Sequence, residues 1–318
     1  MEPFRYHRPA SADEALREAG PGAAFLAGGT ELVPWLKDGI ARPADLIDIG
    51  GLGLSGVRRD GDVLRIGAAT RLAEVATHPA VRAELPALVT AIDEAASVAV
   101  RHQGSLAGNL LQAPRCPYFR AAGAPAGYGC ELRAPGSGCA ARSGDARSAA
   151  IFPGSHPCIA VQPSDPAVVL ALLGAELTVR SAAGSRVQAI ESLYHAGPRV
   201  GVIEPDELIT EIVVTLGARA RSARFGKVRD RASFDFALVS AAVTRSADGP
   251  EIVVGGVAWG PRRCRTAEAA LTGQPLGAAA IRAALDAEFA GAEPRSDNAF
   301  KRELAIRLVA DLLAETGR

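Results

Sequence analysis

Residues 23–39, AAFLAGGTELVPWLKDG, decide the class of this fold. The run AAFLA is short and apolar, which is typical of a buried strand, and ELVPWLKDG has the pattern of a short helix ending near Gly39. Gly28 and Gly29 join the two. Because glycine lets a ligand approach the backbone, free N–H groups there can bind phosphate, and Thr30 can add its hydroxyl. A plain strand-to-helix turn explains this motif equally well.

The flanking sequence extends the α/β pattern. DLIDIG (45–50) predicts a strand, GVRRDGDVLRIGA (56–68) a β-hairpin, and residues 70–100 helices. GLGLSG (51–56) matches the glycine pattern of dinucleotide-binding turns, which must open a helix. Since a hairpin pattern follows it instead, we reject a dinucleotide site there.

Two further turns have the composition of a ligand site. RHQGSLAGNL (101–110) carries Gly104, Ser105, Gly108 and Asn109, and LRIGAAT (64–70) follows a predicted strand with small residues. Each turn is weak evidence alone. Together with the turn at Gly28 they predict a long ligand threaded between subdomains.

The rest of the chain divides into three stretches. Residues 111–160 are rich in Ala, Gly, Pro, Arg and Ser with little periodicity, as in a long functional or disordered loop. Residues 163–181 predict a helix and then a strand, and 207–216 another strand. The sequence predicts a domain boundary at 217–223, followed by an α+β tail whose last helix repeats Leu304, Leu308 and Leu312 at helical spacing.

Composition excludes several functional classes. The chain has 318 residues with 35 basic and 35 acidic side chains, so its formal charge is zero and no footprint for nucleic acid is visible. No signal peptide opens the sequence, and no apolar run reaches the length of a membrane span. Five cysteines in a chain this long are too few for a disulfide framework.

Four of those cysteines are clustered in the irregular loop, at positions 116, 130, 139 and 158, while Cys264 stands apart. They are separated by 13, 8 and 18 residues, so the usual zinc-ribbon and ferredoxin spacings both fail. Glycines and prolines still permit the loop to fold back on itself. Free thiols, a structural zinc ion and a [4Fe-4S] cluster all remain open from the residues alone.

Several motifs together carry a family resemblance. FLAGGTELV, LRIGAATRLAEV, RHQGSLAGNLLQ, PSDPAVVLAL and FGKVRDRASFDFALVSAAV occur in the order found in FAD-binding medium subunits of the molybdenum hydroxylases, which include xanthine and carbon monoxide dehydrogenases. The match extends to NAFKRELAIRLV near the end. It implies an α+β chain with an N-terminal FAD-binding domain of two α/β subdomains (1–218) and a smaller C-terminal α+β domain (219–318).

The resemblance also implies roles for individual residues. One turn would cradle the FAD pyrophosphate, a second would make another backbone contact, and Asp165 would reach the adenosine end. Ile209 would pack at the flavin, with Lys227 near the isoalloxazine or the ribityl chain. From the residues alone, Asp165 is a helix cap and Lys227 a solvated charge. The implied FAD residues are Leu26, Ala27, Gly28, Gly29, Thr30, Glu31, Leu32, Val33, Ala68, Thr70, Ser105, Leu106, Ala107, Gly108, Asn109, Asp165, Ile209 and Lys227.

Within the family, the form with a four-cysteine insertion resembles the medium subunit of bacterial periplasmic aldehyde oxidoreductases; hydroxybenzoyl-CoA reductase flavoprotein subunits share the insertion. RCPYF, GSGCAA and CIAVQPSD carry this likeness. It implies a [4Fe-4S] cluster on Cys116, Cys130, Cys139 and Cys158. The segment before Cys130 is longer than in that relative, which makes Cys130 the least certain ligand.

The implied function is electron transfer within a complex, with no catalytic side chain on this chain. A large subunit would hold the molybdenum cofactor and act on the substrate. A small subunit with two [2Fe-2S] clusters would pass electrons to non-covalent FAD here, which would reduce an external acceptor; the assembly would be a heterotrimer. The alternatives are a stand-alone flavin oxidase or reductase, a subunit of a related hydroxylase such as a hydroxybenzoyl-CoA reductase, and a zinc-stabilised scaffold. Export with a signal-bearing partner would place the chain in the periplasm, and the cytoplasm is the alternative.

Overall fold

The strands of the described chain form three sheets, of which the first is parallel, with strand order β1-β3-β2. The computed structural model describes residues 1–123, 127–152, 154–194, 203–246 and 249–316. Parallel neighbours need a crossover, and two short helices supply it. These elements are β1 (Arg5–His7), α1 (Ala12–Glu18), β2 (Ala23–Leu26), α2 (Leu32–Asp38) and β3 (Asp45–Asp48). The predicted strand and helix around Gly28 are confirmed.

The second sheet has the order β4-β5-β8-β6-β7 and is antiparallel throughout. The predicted hairpin forms its edge, with Gly61 at φ +60° in the turn. Helices and strands of this subdomain are β4 (Val57–Asp60), β5 (Val63–Gly67), α3 (Leu72–Thr77), α4 (Pro79–Glu84), α5 (Pro86–Glu94), α6 (Val98–Arg101), α7 (Leu106–Leu110), α8 (Pro117–Arg120), α9 (Asp165–Leu172), β6 (Glu176–Ser181), β7 (Gly184–Ala189) and β8 (Leu208–Thr215).

The third sheet, β12-β11-β10-β9, is antiparallel and belongs to the C-terminal unit. Three helices of 7, 11 and 16 residues pack beside it. The elements of this unit are α10 (Ala218–Ser222), β9 (Arg224–Val228), β10 (Val239–Ser246), β11 (Gly249–Gly255), β12 (Arg262–Arg263), α11 (Arg265–Leu271), α12 (Ala278–Glu288) and α13 (Phe300–Glu315). The α+β fold class is confirmed.

Helix α9 lies at the centre of the molecule, with every one of its residues buried. It packs on α5 and α7 of the second subdomain and on β10 and β11 of the C-terminal sheet. One apolar cluster therefore runs through both units, from Leu64 to Val253. The domain boundary at 218/219 stays a prediction, and it falls inside this shared core.

Residues 111–160 are largely irregular, as the composition predicted. Their regular pieces are α8 and a 3₁₀ turn at Ala140–Arg142. Residues 124–126 and 153 of this loop lie outside the described residues, so the long segment before Cys130 is described only in part. No helix in the described ranges is long and apolar enough to cross a bilayer.

A buried lysine fastens the loop to the C-terminal unit. Lys301 of α13 is fully buried, and its Nζ donates to the carbonyl oxygens of Ser148 (3.1 Å), Ala149 (2.9 Å) and Gly256 (2.8 Å). Asn298 Nδ2 donates to Ala146 O nearby (3.0 Å). These contacts hold one wall of the loop against α13.

Burial lowers the pKa of Lys301 to about 7. Between pH 7 and the ordinary lysine pKa, the unfolded chain binds one more proton at this site than the folded chain, so the free energy of unfolding rises with pH there. We expect the free energy of unfolding of wild type to rise with pH relative to that of Lys301→Met across this window, by at most about 1.4 kcal/mol per pH unit. Urea unfolding of both proteins from pH 6 to 9 measures the difference; a difference that stays flat would contradict the assignment.

Candidate functional site

The three predicted turns lie together, but they have unequal roles. The first two line a pocket of about 410 Å³, which we call the turn pocket. The third turn, around Ala68 and Thr70, lies behind the second. Leu106 N donates to Thr70 O (2.9 Å) and Ala107 N donates to Ala68 O (3.1 Å). The third turn therefore fixes the second in place without lining the pocket.

Glycine is required at the floor of the turn pocket. A Cβ on Gly28 would lie 1.8 Å from the carbonyl oxygen of Gln103, far inside contact distance, so the first turn meets the second through bare backbone. Gly29 has φ +70°, a left-handed conformation that glycine adopts without strain. At Gly108 a Cβ would lie 2.9 Å from Ser105 Oγ, which accepts from the Gly108 amide (3.2 Å).

The predicted FAD residues divide into two groups. Those that line the turn pocket are Ala27, Gly28, Gly29, Thr30, Glu31, Leu32, Ser105, Gly108, Asn109, Asp165 and Lys227. Those that do not are Leu26, Val33, Ala68, Thr70, Leu106, Ala107 and Ile209. Several of the second group are buried in the main core, where they support the pocket from behind.

Asp165 and Lys227 form a buried ion pair, with Oδ2 and Nζ 2.7 Å apart and side chains 4% and 1% exposed. Lys227 Nζ also donates to Glu94 O (3.2 Å). Burial raises the pKa of the Asp165 carboxyl, and Lys227 opposes that rise. Because the two groups touch, they face the same part of any ligand. Their placement along FAD stays a prediction, whereas the interpretation of Lys227 as a solvated charge is wrong because its side chain is buried in this pair.

The four clustered cysteines converge on a second cavity. Cys116, Cys130, Cys139 and Cys158 all line a space of about 60 Å³, which we call the cysteine cavity. A single water needs only about 10–15 Å³ of such volume. Cys130 and Cys139 also pair as an antiparallel bridge, which brings the two middle cysteines side by side. The loop thus brings together residues 42 positions apart in the sequence.

The surroundings of these thiols are apolar. Burial raises the pKa of Cys116, and it raises the pKa of Cys158 to about 12, with the neighbouring cysteines adding to both shifts. Thiolates gathered here would need a cation to neutralise them. In the described part of the chain, no three Cys, His, Asp or Glu side chains lie close enough to hold a single metal ion.

Comparison with known proteins decides the family. Residues 2–215 match the model of the FAD binding domain in molybdopterin dehydrogenase, and residues 224–316 match that of the CO dehydrogenase flavoprotein C-terminal domain. The chain is an FAD-binding medium subunit of the molybdenum hydroxylase family. It is thus a flavoprotein subunit of a multi-subunit oxidoreductase.

Individual relatives of this medium subunit support the same family assignment. It is 40% identical to the aldehyde oxidoreductase FAD-binding subunit PaoB of Escherichia coli (strain K12), over 99% of this chain and 98% of that protein. It is 26% identical to the carbon monoxide dehydrogenase medium chain of Hydrogenophaga pseudoflava, over 96% and 94%. A solved carbon monoxide dehydrogenase from that organism superposes with TM-score 0.75 at 25% identity, covering 98% of this chain and 96% of that chain.

Sequence reasoning missed several residues of the medium subunit's turn pocket. Arg115 and the segment Phe234–Phe236 line it, and Phe234 is 59% exposed with φ +54°. The quoted motif RASFDFALVS contains the phenylalanines, but its pattern predicts only a strand start. Glu31 lines the turn pocket and also binds the cysteine loop: it accepts from Ala113 N (3.1 Å) and pairs with Arg115 (3.0 Å) and Arg120.

Proposed function

We propose that the turn pocket holds FAD, that the cysteine cavity holds one [4Fe-4S] cluster, and that the chain transfers electrons within a molybdenum hydroxylase of aldehyde oxidoreductase type. The observation that carries this proposal is the arrangement of the two spaces. Arg115, Pro163, Asp165 and Phe236 line both of them, so the pocket and the cavity share a wall. Two redox groups on either side of one layer of side chains would lie within reach of each other.

The turn pocket fits FAD in size and in chemistry. Its volume falls within the range of about 300–1,000 Å³ that is usual for cofactor sites. Gly28 and Gly29 give the first turn bare backbone packed against the second turn, with Gly29 in a left-handed conformation, and such glycine turns suit a pyrophosphate. Ser105 and Asn109 add polar groups on the opposite turn. The Asp165–Lys227 pair would present a fixed dipole to FAD in this pocket.

The four cysteines match the ligand number of both a zinc ion and a [4Fe-4S] cluster. A zinc ion with four thiolates at about 2.3 Å would hold the sulfurs about 3.8 Å apart. A [4Fe-4S] cluster is also held by four cysteines but is itself several atoms across, so its ligands stand farther apart. Four cysteines around one cavity supply the number of ligands that such a cluster needs, and the likeness of RCPYF, GSGCAA and CIAVQPSD to the four-cysteine insertion supports the cluster over zinc.

Bound FAD would exchange electrons singly with clusters and in pairs with an acceptor, and the side chains here would hold and orient it. We infer that partner subunits carry the molybdenum cofactor and two [2Fe-2S] clusters, in a heterotrimer that reduces an external acceptor. The names of the relatives support this: one is an FAD-binding subunit of an aldehyde oxidoreductase and another a medium chain. Export to the periplasm with a partner remains part of this proposal.

Rapid mixing tests the electron-transfer assignment. We expect an aldehyde to bleach the flavin absorbance of the assembled complex, and to leave the flavin of this chain alone oxidised. The isolated chain should still accept electrons from dithionite, which shows that its flavin is competent. Steady turnover of the aldehyde by the isolated chain would contradict the subunit role and favour a stand-alone flavin oxidase.

Replacement of one loop cysteine tests the cluster. We expect Cys139→Ser to lose most of the iron and acid-labile sulfide found in wild type, because a cluster with three thiolates is poorly held. At saturating FAD the flavin content should persist. Cys264→Ser is the control, since Cys264 lies in the apolar core of the C-terminal unit and does not line the cysteine cavity. Equal iron content in all three proteins would contradict the cluster.

A further inference from the structure

Arg115 occupies a singular place in the wall between the two spaces. It directly precedes Cys116 in the sequence, and it lines both the turn pocket and the cysteine cavity. Any group that binds Cys116 therefore restrains the backbone from which this guanidinium extends. The shared wall thus contains one side chain that is covalently adjacent to one site and exposed to the other.

The guanidinium is held on several sides. Arg115 Nη2 donates to Gln112 Oε1 (2.9 Å) and pairs with Glu31 Oε2 (3.0 Å), and its Cζ lies 4.6 Å from the centre of the Phe236 ring. Glu31 belongs to the first turn of the turn pocket. Arg115 therefore ties the cysteine loop to that turn through an ion pair and to the Phe236 segment through a cation–π contact.

One buried donor of this side chain has no hydrogen-bond partner in the described part of the chain. Arg115 Nε is buried, and it has no hydrogen-bond partner among the described residues. Leaving a buried donor unpaired costs about 1–3 kcal/mol, so such atoms usually have a partner. A ligand rich in acceptor atoms in the adjoining turn pocket would supply one, and FAD carries phosphate, ribityl and ring oxygens.

We propose that Arg115 is a positioning residue shared by the two sites: it donates to FAD, and ligation at the neighbouring Cys116 sets its position. FAD affinity then depends on the state of the cysteine loop. This inference rests on the proposed function, because it takes FAD as the occupant of the turn pocket. It adds to that function that the cysteine loop changes FAD affinity through Arg115, without its cysteines contacting FAD.

A double-mutant cycle tests the inference. FAD is removed from the full chain, and its dissociation constant is measured by quenching of FAD fluorescence for wild type, Arg115→Met, Cys139→Ser and the double variant. We expect Arg115→Met to weaken FAD binding about tenfold or more, as for loss of a charge-assisted hydrogen bond. Cys139→Ser should weaken binding roughly fivefold in wild type and leave it unchanged in the Arg115→Met background.

Arg133→Met is the matched control. Arg133 lies in the same loop, and its guanidinium binds the carbonyls of Ala121 and Gly123, but it lines neither space. Its replacement should leave FAD affinity within about twofold of wild type. An Arg133→Met effect as large as that of Arg115→Met would reduce Arg115 to a general role in loop folding and overturn the inference.

Two other results would overturn it as well. One is Arg115→Met with wild-type FAD affinity. The other is a double variant whose loss equals the product of the two single losses, which would make the sites independent. The iron and sulfide content of the same wild-type protein shows separately whether the cluster is present. Wild type without iron would contradict the proposed cluster, while the cycle would still decide whether Arg115 links the loop to FAD.

Discussion

Gly28→Ala is expected to abolish FAD binding, raising the dissociation constant by about a hundredfold or more. The new Cβ, whose position the backbone fixes, would sit 1.8 Å from the backbone atom Gln103 O, so no side-chain rotation relieves the clash. The first two turns of the turn pocket must then separate. Because the proposed pyrophosphate site lies between them, its geometry is lost even if the chain folds. Fluorescence titration with FAD measures the loss.

Gly51→Ala is the control for that experiment. A Cβ on Gly51 meets nothing within 4 Å, and the residue lies in the rejected GLGLSG motif. The Gly51→Ala protein should bind FAD as wild type does. Circular dichroism and urea unfolding of both variants separate a local effect from misfolding. A folded Gly28→Ala protein with wild-type FAD affinity, or a Gly51→Ala protein that loses FAD, would contradict the site.

Lys227→Met is expected to lower the free energy of unfolding by about 3–5 kcal/mol, measured without FAD. The substitution removes the partner of a carboxylate that is 4% exposed and leaves Asp165 buried without its ion pair. The carboxyl must then take up a proton or draw in water. Urea unfolding at pH 7 provides the measurement, and FAD affinity should fall in the same variant because both residues line the turn pocket.

A neutral double variant shows whether the unpaired charge is the cause. Lys227→Met with Asp165→Asn should recover a large part of the lost stability, since no charge is left buried. Arg282→Met is a surface control: its partner Asp286 lies in an exposed pair, and its loss should cost about 1 kcal/mol or less. A Lys227→Met protein as stable as Arg282→Met would contradict a buried, energetically coupled pair.

Local pattern was enough to predict most of the fold. The strand, turn and helix around Gly28 and the hairpin at 56–68 depend on near neighbours in sequence, and each formed as expected. The last helix shows the limit of periodicity. Leu304 and Leu308 are only partly buried, whereas Leu312 is buried together with Lys301, Ala305, Ile306, Val309 and Leu313. The burial of Lys301 is possible because three carbonyls outside the helix accept from its Nζ.

The site was predictable only in part, because its contacts join distant parts of the chain. The Asp165–Lys227 pair spans 62 positions and depends on α9 packing against the C-terminal sheet. The periodicity of the sequence does not indicate that these two side chains meet. Arg115 was missed for the same reason: its partners Glu31 and Phe236 come from two different units. Convergence of the four cysteines follows from loop closure, which their spacing permits but does not specify.

The most direct test of the account is the chemical composition of the purified wild-type chain. FAD, iron, zinc and acid-labile sulfide are measured per chain under anaerobic conditions, together with the absorption spectrum. The account predicts one FAD with four irons and four sulfides, and flavin bands over a broad iron–sulfur absorption. A chain with FAD but with zinc or no iron would contradict the cluster, and a chain with neither flavin nor iron would contradict the account as a whole.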